Sequence, residues 1–369
     1  MATARLKDLA RKTGFSISTV SRALLGYRDV NPKTRERILE AARELNYYPF
    51  QAGKQLRSGK THTVGFLIPT YGKRFSDPFF IELLSGIGDM ASTLDYDILV
   101  GTSGGGGKEI EAYRRIVGSG RVDGLIITRT KINDERITYL LETKTPFVVL
   151  GRVNNAPNAP FIDIDSKAGI KQLTEKLIEL GHRRIALITS PNELIFTRYR
   201  NEGYREALLE NGIEIDETLI AIGNLTQESG RQCALELLKQ KNRPTAIVAV
   251  NDLMALGAYS AVQQSGLEIG KDVSVTGYDG ISMAENAHPP LTTIEVPIYE
   301  IGKRLFEILF KIINHQKVEH PQILLPPKPV FRASIGKPPG TNNPSHTFKT
   351  GNDLSVGEKK IKPKLRRIL

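Results

Sequence analysis

From Ile17 to Arg22 the chain reads ISTVSR, with Ile17, Ser18, Ser21 and Arg22 at positions that would face outward if the stretch is helical. Val20, Ala23 and Leu24 fall on the opposite face. An isoleucine, two hydroxyls and a guanidinium on one open helical surface suit a partner offering phosphate oxygens and base edges. The segments around this stretch look built to hold it. A first helix from about Lys7 to Thr13 puts Leu6, Leu9 and Ala10 on one face, and Gly14 supplies the positive φ that ends it. Ser16 stands at the N-cap of the next helix. Asn31 caps a third, with Pro32 in its first turn and Ile38, Ala41, Ala42 and Leu45 pointing inward. The expected unit is a three-helix helix-turn-helix whose second helix fits a major groove. Any small helical bundle carries a similar pattern, so the other residues must weigh in.

Charge does so. The chain has 369 residues and a net charge of +11. Residues 1–62 carry 13 Lys/Arg against 5 Asp/Glu, a net +8, and residues 337–369 carry 8 against 2, a net +6. The 274 residues between them are therefore at −3. A positive head on a slightly negative body fits a nucleic-acid-binding module joined to something else. Hydrophobic content of 40% fits a globular protein, no apolar run reaches the 18 or so residues of a membrane span, and no apolar segment follows Arg5 and Lys7 as a secretory signal requires. With Cys233 alone, no intrachain disulfide can form, and a reducing cytoplasm is the expected location.

Three motifs suggest other chemistry. Gly101-Thr102-Ser103-Gly104-Gly105 matches the nucleophile elbow of a hydrolase and follows an expected strand. It lacks an HGGG-type oxyanion motif, and further glycines separate Ser103 from its helix. The same glycines before Lys108 imitate a phosphate loop, but Thr102 replaces the first required Gly and Glu109 the required Ser/Thr. The six histidines lack zinc-ligand spacing, so no metal or cofactor is expected.

From Thr63 the pattern changes. The runs from Val64, Tyr96, Gly124 and Pro146, and then from Ile185, Thr245 and Val273, are near-continuous apolar stretches separated by helical segments. Such runs are strands of parallel sheets covered on both faces. They imply two doubly wound α/β lobes, which bind ligands beyond the carboxyl ends of the strands. The helix from Val296 to Asn314 is expected to be lobe-crossing core. Within a basic, disordered tail at 337–369, the stretch from Pro338 to Ser345 loses all periodicity and the run from Lys359 to Leu369 lacks leucine heptads.

With these motifs in place, the chain resembles the lactose-repressor (LacI/GalR) family. STVSRAL, VNPKTRERI, LNYYP, VDGLII, LGHRRIALI, VNDLMALGA, VSVTGYD and PPLTTI occur in the family's order. The resemblance implies an all-α headpiece at 1–48, a hinge and linker at 49–62, and a periplasmic-binding-protein-like effector and dimerisation core at 63–336. It assigns base reading to Ile17, Ser18 and Arg22, and phosphate contacts to Thr19, Ser21 and Asn31. It makes Leu56 an apolar wedge for the minor groove. Phe50 and Gly53 depart from the family's hinge. In the cleft it points to Asp77, Phe79, Phe80, Arg152, Arg200, Asn251 and Asp279, a donor, acceptor and aromatic set suited to a saccharide. Leu225 stands where relatives place a stacking aromatic, with Phe75 or Tyr71 as substitutes, and the loop Thr70–Pro78 is longer than usual in the family. The implied protein is a homodimeric, effector-controlled repressor of a pseudo-palindromic operator. The rivals are a sugar-transport binding protein and a Ser103 hydrolase.

Overall fold

Short helices need a shared core, and the first three find one among themselves. The computed structural model describes residues 4–47, 59–70, 77–104 and 109–340. Helices α1 (Leu6–Thr13), α2 (Ile17–Leu24) and α3 (Pro32–Glu44) bury Leu9, Val20, Ala23, Val30, Ile38, Ala41 and Ala42 against one another. Gly14 ends α1 at φ 76°, the left-handed geometry a glycine allows without a Cβ clash. Ser16 Oγ accepts the Thr19 amide at 3.1 Å and caps α2, and Asn31 Oδ1 accepts the Lys33 amide at 3.0 Å and caps α3.

The first lobe contains β1 (Thr63–Thr70), α4 (Pro78–Thr93), β2 (Asp97–Gly104), α5 (Glu109–Gly118), β3 (Gly124–Ile127), α6 (Glu135–Glu142), β4 (Phe147–Leu150) and β5 (Phe161–Ile164). The chain then crosses into the second lobe. There it forms α7 (Ser166–Glu179), β6 (Ile185–Thr189), α8 (Ile195–Glu210), a short 3-10 turn, and β7 (Ile220–Ile222). It continues through α9 (Gln227–Leu238), β8 (Ala246–Ala249), α10 (Asp252–Gln264), β9 (Ser274–Thr276), α11 (Ser282–Glu285) and β10 (Thr293–Glu295). A second crossing at Val296 returns it as α12 (Ile298–Ile313) and β11 (Gln322–Leu325) to the first lobe, and β12 (Lys328–Val330) pairs antiparallel with β10.

The first sheet has the order β11-β5-β4-β3-β1-β2 and the second β7-β6-β8-β9, and every pairing within them is parallel. In both, sequence order reverses beside the first strand of the lobe, so loops diverge at a crevice where a ligand can enter. The strands expected from the sequence lie in these sheets. β5, β7, β10, β11 and β12 were not read from it: β5 and β10 each carry an acidic residue, β7, β11 and β12 are partly exposed, and two prolines follow β11.

The helix expected as lobe-crossing core belongs to the first lobe, where α12 packs along α4. The crossing itself lies just before it, at Val296 and Pro297. Ser103 lies inside β2 with its Cα paired to Pro69, so the backbone there is a strand and not the sharp turn of a nucleophile elbow. Among the described residues no helix is long and apolar enough to cross a membrane.

Candidate functional site

The outer face of α2 is open. Ile17 is 46% exposed and Ser18 and Arg22 are exposed, whereas Thr19 and Ser21 are half-buried. Thr19 Oγ1 lies 2.9 Å from Ser16 Oγ, within the helix cap. Arg22 is ion-paired with Asp29, and its guanidinium lies over the Tyr27 ring at 4.6 Å from the centroid. The sequence reading missed this carboxylate, because a turn through Gly26 carries it back to α2 and no periodicity marks it. The side chain of Asn31 is committed to its cap. Leu56, Phe50, Gly53, Tyr71 and Phe75 lie outside the described residues.

Between the lobes a cleft with an empty volume of about 750 Å³, its open mouth included, is lined from both sides. The first lobe contributes Asp77, Phe79, Phe80, Thr128, Arg129 and Asp163. The second contributes Phe196, Arg200, Leu225, Asn251, Tyr278 and Asp279. Six of the seven residues picked from the sequence are thus on its wall.

Arg152 is the exception. Its Nε donates to Asp163 Oδ2 at 2.8 Å, and its guanidinium stacks on Tyr199 of α8 in the second lobe at 3.5 Å, so it holds a wall residue and reaches across to the other lobe without lining the cleft itself. Gly151, its neighbour in the same turn, does line the cleft.

Several wall residues are held by interactions of their own. Asp77 caps α4 by accepting the Phe79 amide at 3.2 Å and also accepts Arg129 Nη2 at 3.1 Å. Arg129 lies over the Phe80 ring at 4.8 Å. Asn251 caps α10 through Oδ1, which accepts the Met254 amide at 3.1 Å, while its Nδ2 donates to the Leu225 carbonyl at 3.2 Å. Arg200 stacks on Tyr278 at 3.6 Å, approaches Asp279 Oδ1 at 3.6 Å and donates to the Val250 carbonyl. Its Nε and the Thr128 hydroxyl are buried without a hydrogen-bond partner.

Burial pushes the Asp279 carboxyl well above the ordinary carboxylate range, against the pull of Arg200. Burial also raises Asp163, opposed by Arg152. Behind Asp279, the fully buried Asp252 is raised to about 6 by burial, although it accepts Thr293 Oγ1 at 2.6 Å and the Ile281 amide at 3.0 Å. The wall therefore combines guanidinium donors, carboxyl groups and aromatic rings, a set that suits a polyhydroxyl ligand. Arg129 and Thr128 escaped the sequence reading although they directly follow the GLII strand, the position that drew attention to residues after other strands. Asp163 escaped it because β5 did.

A DNA-reading helical unit joined to a two-lobe ligand cleft defines a class of ligand-responsive transcription regulators rather than enzymes. The chain belongs to the LacI family: the model for "Bacterial regulatory proteins, lacI family" matches residues 5–49, and that for "Periplasmic binding proteins and sugar binding domain of LacI family" matches residues 61–334. It is 37% identical to the HTH-type transcriptional regulator AglR of Rhizobium meliloti, over 92% of this chain and 97% of that protein. It is 34% identical to the HTH-type transcriptional regulator CelR of Thermobifida fusca, over 87% of this chain and 95% of that protein. Among solved structures, a CelR–cellobiose complex matches with a TM-score of 0.69 and 33% identity, covering 90% of this chain and 99% of that one. A lac repressor dimer bound to operator and the anti-inducer ONPF matches with a TM-score of 0.80 and 29% identity, covering 91% and 100%.

Proposed function

We propose that the protein is a homodimeric repressor that binds a pseudo-palindromic operator through α2 and changes its operator affinity when a saccharide occupies the interlobe cleft. The observation that carries the effector half is the wall itself. Arg200 Nε and Thr128 Oγ1 are buried polar atoms awaiting a partner, beside the faces of Phe79, Phe80, Phe196 and Tyr278. An unmet buried donor costs about 1–3 kcal/mol, which a ligand hydroxyl recovers. The lac repressor and CelR complexes support the same reading, one holding operator and the other cellobiose. Ile17, Ser18 and Arg22 read bases in this scheme, Thr19, Ser21 and Asn31 meet phosphates, and Leu56 wedges the minor groove. Such a regulator works in the cytoplasm, on the nucleoid when bound.

The test has two arms. A duplex enriched from a random pool by the full chain should bind with steep salt dependence. Arg22→Ala should weaken it about tenfold or more, the worth of one bidentate base contact. Asp29→Asn, which removes the carboxylate that competes for Arg22, should strengthen it. A thermal-shift panel of mono- and disaccharides including cellobiose should raise the melting point with at least one member. No enriched duplex sinks the operator half, and no shift across the panel sinks the effector half.

A further inference from the structure

The stretch just before β1 is gripped by the first lobe at several points. Asp123, immediately before β3, accepts the Thr61 amide at 2.6 Å and the Thr61 hydroxyl at 2.9 Å on Oδ1, and the His62 amide at 2.9 Å on Oδ2. One carboxylate thus holds two consecutive backbone N–H groups and a side chain. Lys60 Nζ donates to Asn314 Oδ1 at 2.6 Å, and Asn314 is the C-cap of α12. The His62 carbonyl accepts the Asp97 amide at 2.8 Å, and the His62 ring lies 5.1 Å from that of Tyr96. Residues 60–62 are therefore tied to the starts of β2 and β3 and to the end of α12.

The opposite ends of two of these elements lie in the cleft. Asp123 immediately precedes β3 while Thr128 and Arg129, which immediately follow it, line the cleft, and α12 begins just after Val296, which lines it too. Sixteen residues at 1.5 Å rise make α12 a rod of about 24 Å between the cleft and the residue that holds Lys60. Both spans are regular secondary structure inside a packed lobe, so they carry displacement with little give.

We propose that Asp123 is a positioning residue for operator binding: its carboxylate fixes the direction in which the chain leaves the first lobe towards the DNA-reading helices. This inference rests on the regulator reading above. An anchored exit limits the orientations available to the head, so less conformational freedom is lost when two heads engage one operator. A released exit leaves the surface of the head unchanged and removes the restraint.

The test compares full-length wild type with Asp123→Ala, Asp123→Asn and a destabilised control, Leu237→Ala, in the second lobe. Hydrogen exchange should show the Thr61 and His62 amides protected in wild type and released in Asp123→Ala, with β1 still protected. Affinity for the enriched duplex should fall about tenfold in Asp123→Ala, in line with the loss of charge-assisted bonds, and less in Asp123→Asn, which keeps one acceptor oxygen. The Leu237→Ala control should keep its affinity despite a lower melting point. If the Thr61 and His62 amides are released while affinity stays within twofold of wild type, or if the control loses as much, the positioning role is overturned. If wild type enriches no duplex, the regulator reading falls and this inference with it.

Discussion

The amide of Ile195, the first residue of α8 in the second lobe, donates to the carbonyl of Thr130 in the first lobe at 3.0 Å. The Ile132 amide answers with a bond to the Glu193 carbonyl at 2.9 Å, and Lys131 and Leu194 form an antiparallel bridge between them. This is a two-bond seam from lobe to lobe beside the cleft, and it resists opening. Proline is tolerated at the first helical position and removes the N–H, so Ile195→Pro deletes one bond of the pair, and Ile195→Val, which trims the buried side chain but keeps the N–H, serves as its control. The Ile132 amide should then exchange about fivefold faster, the equivalent of about 1 kcal/mol for one bond. Equal exchange in wild type and variant would show that the seam does not hold the lobes together.

Much of this arrangement was legible in the sequence, and what was not has identifiable causes. The three head helices declared themselves through Gly14, Ser16 and Asn31, whose local roles do not depend on distant contacts. Fully buried strands such as GLII and IALIT did the same, since burial on both faces leaves an unbroken apolar run. The pair at the edge of the first sheet did not: FIDI is interrupted by Asp163, QILL is partly exposed, and the two pair from positions about 160 residues apart. The site followed the same division. Some residues that follow strands could be named, though not Thr128 and Arg129, and the partner of each guanidinium could not, because Asp163 for Arg152 and Asp29 for Arg22 are brought together by turns with no periodic signature.

The buried Asp252 makes stability depend on pH in a defined window. Its carboxyl is raised from 3.8 to about 6, so the native state keeps a proton that the unfolded chain has already released between those values. This contribution is fully present below about 4 and is lost as pH rises towards 6. Asp252→Asn has no proton to lose at this position. The difference in stability between variant and wild type should therefore move in the variant's favour as pH climbs from about 4 to about 6, then level off. Denaturant melts across that range measure it, and a difference independent of pH would remove Asp252 as the titrating group.

Two glycines on one helix should respond to the same substitution in opposite ways. A Cβ built on Gly86 in α4 would sit 2.0 Å from the Tyr299 carbonyl oxygen of α12, and one on Gly302 in α12 would sit 2.4 Å from the Leu83 carbonyl oxygen of α4. Both obstacles are backbone, so the two helices must separate to admit a methyl group. At Gly88, two residues along α4, the nearest atom would be Ile98 Cδ1 at 3.8 Å, an ordinary contact. Alanine at a helical position otherwise gains roughly 0.5–1 kcal/mol over glycine. Gly88→Ala should raise the melting point of the full chain, whereas Gly86→Ala should lower it, because overpacking of about 1–3 kcal/mol exceeds the helical gain. If the α4–α12 pair carries cleft movement towards Lys60, the same Gly86→Ala should also weaken the response of operator affinity to an effector, while Gly88→Ala leaves that response intact. Parallel melting and duplex-binding titrations on the two variants decide it, and a Gly86→Ala protein as stable as wild type would mean that the close approach of these helices does not fix their spacing.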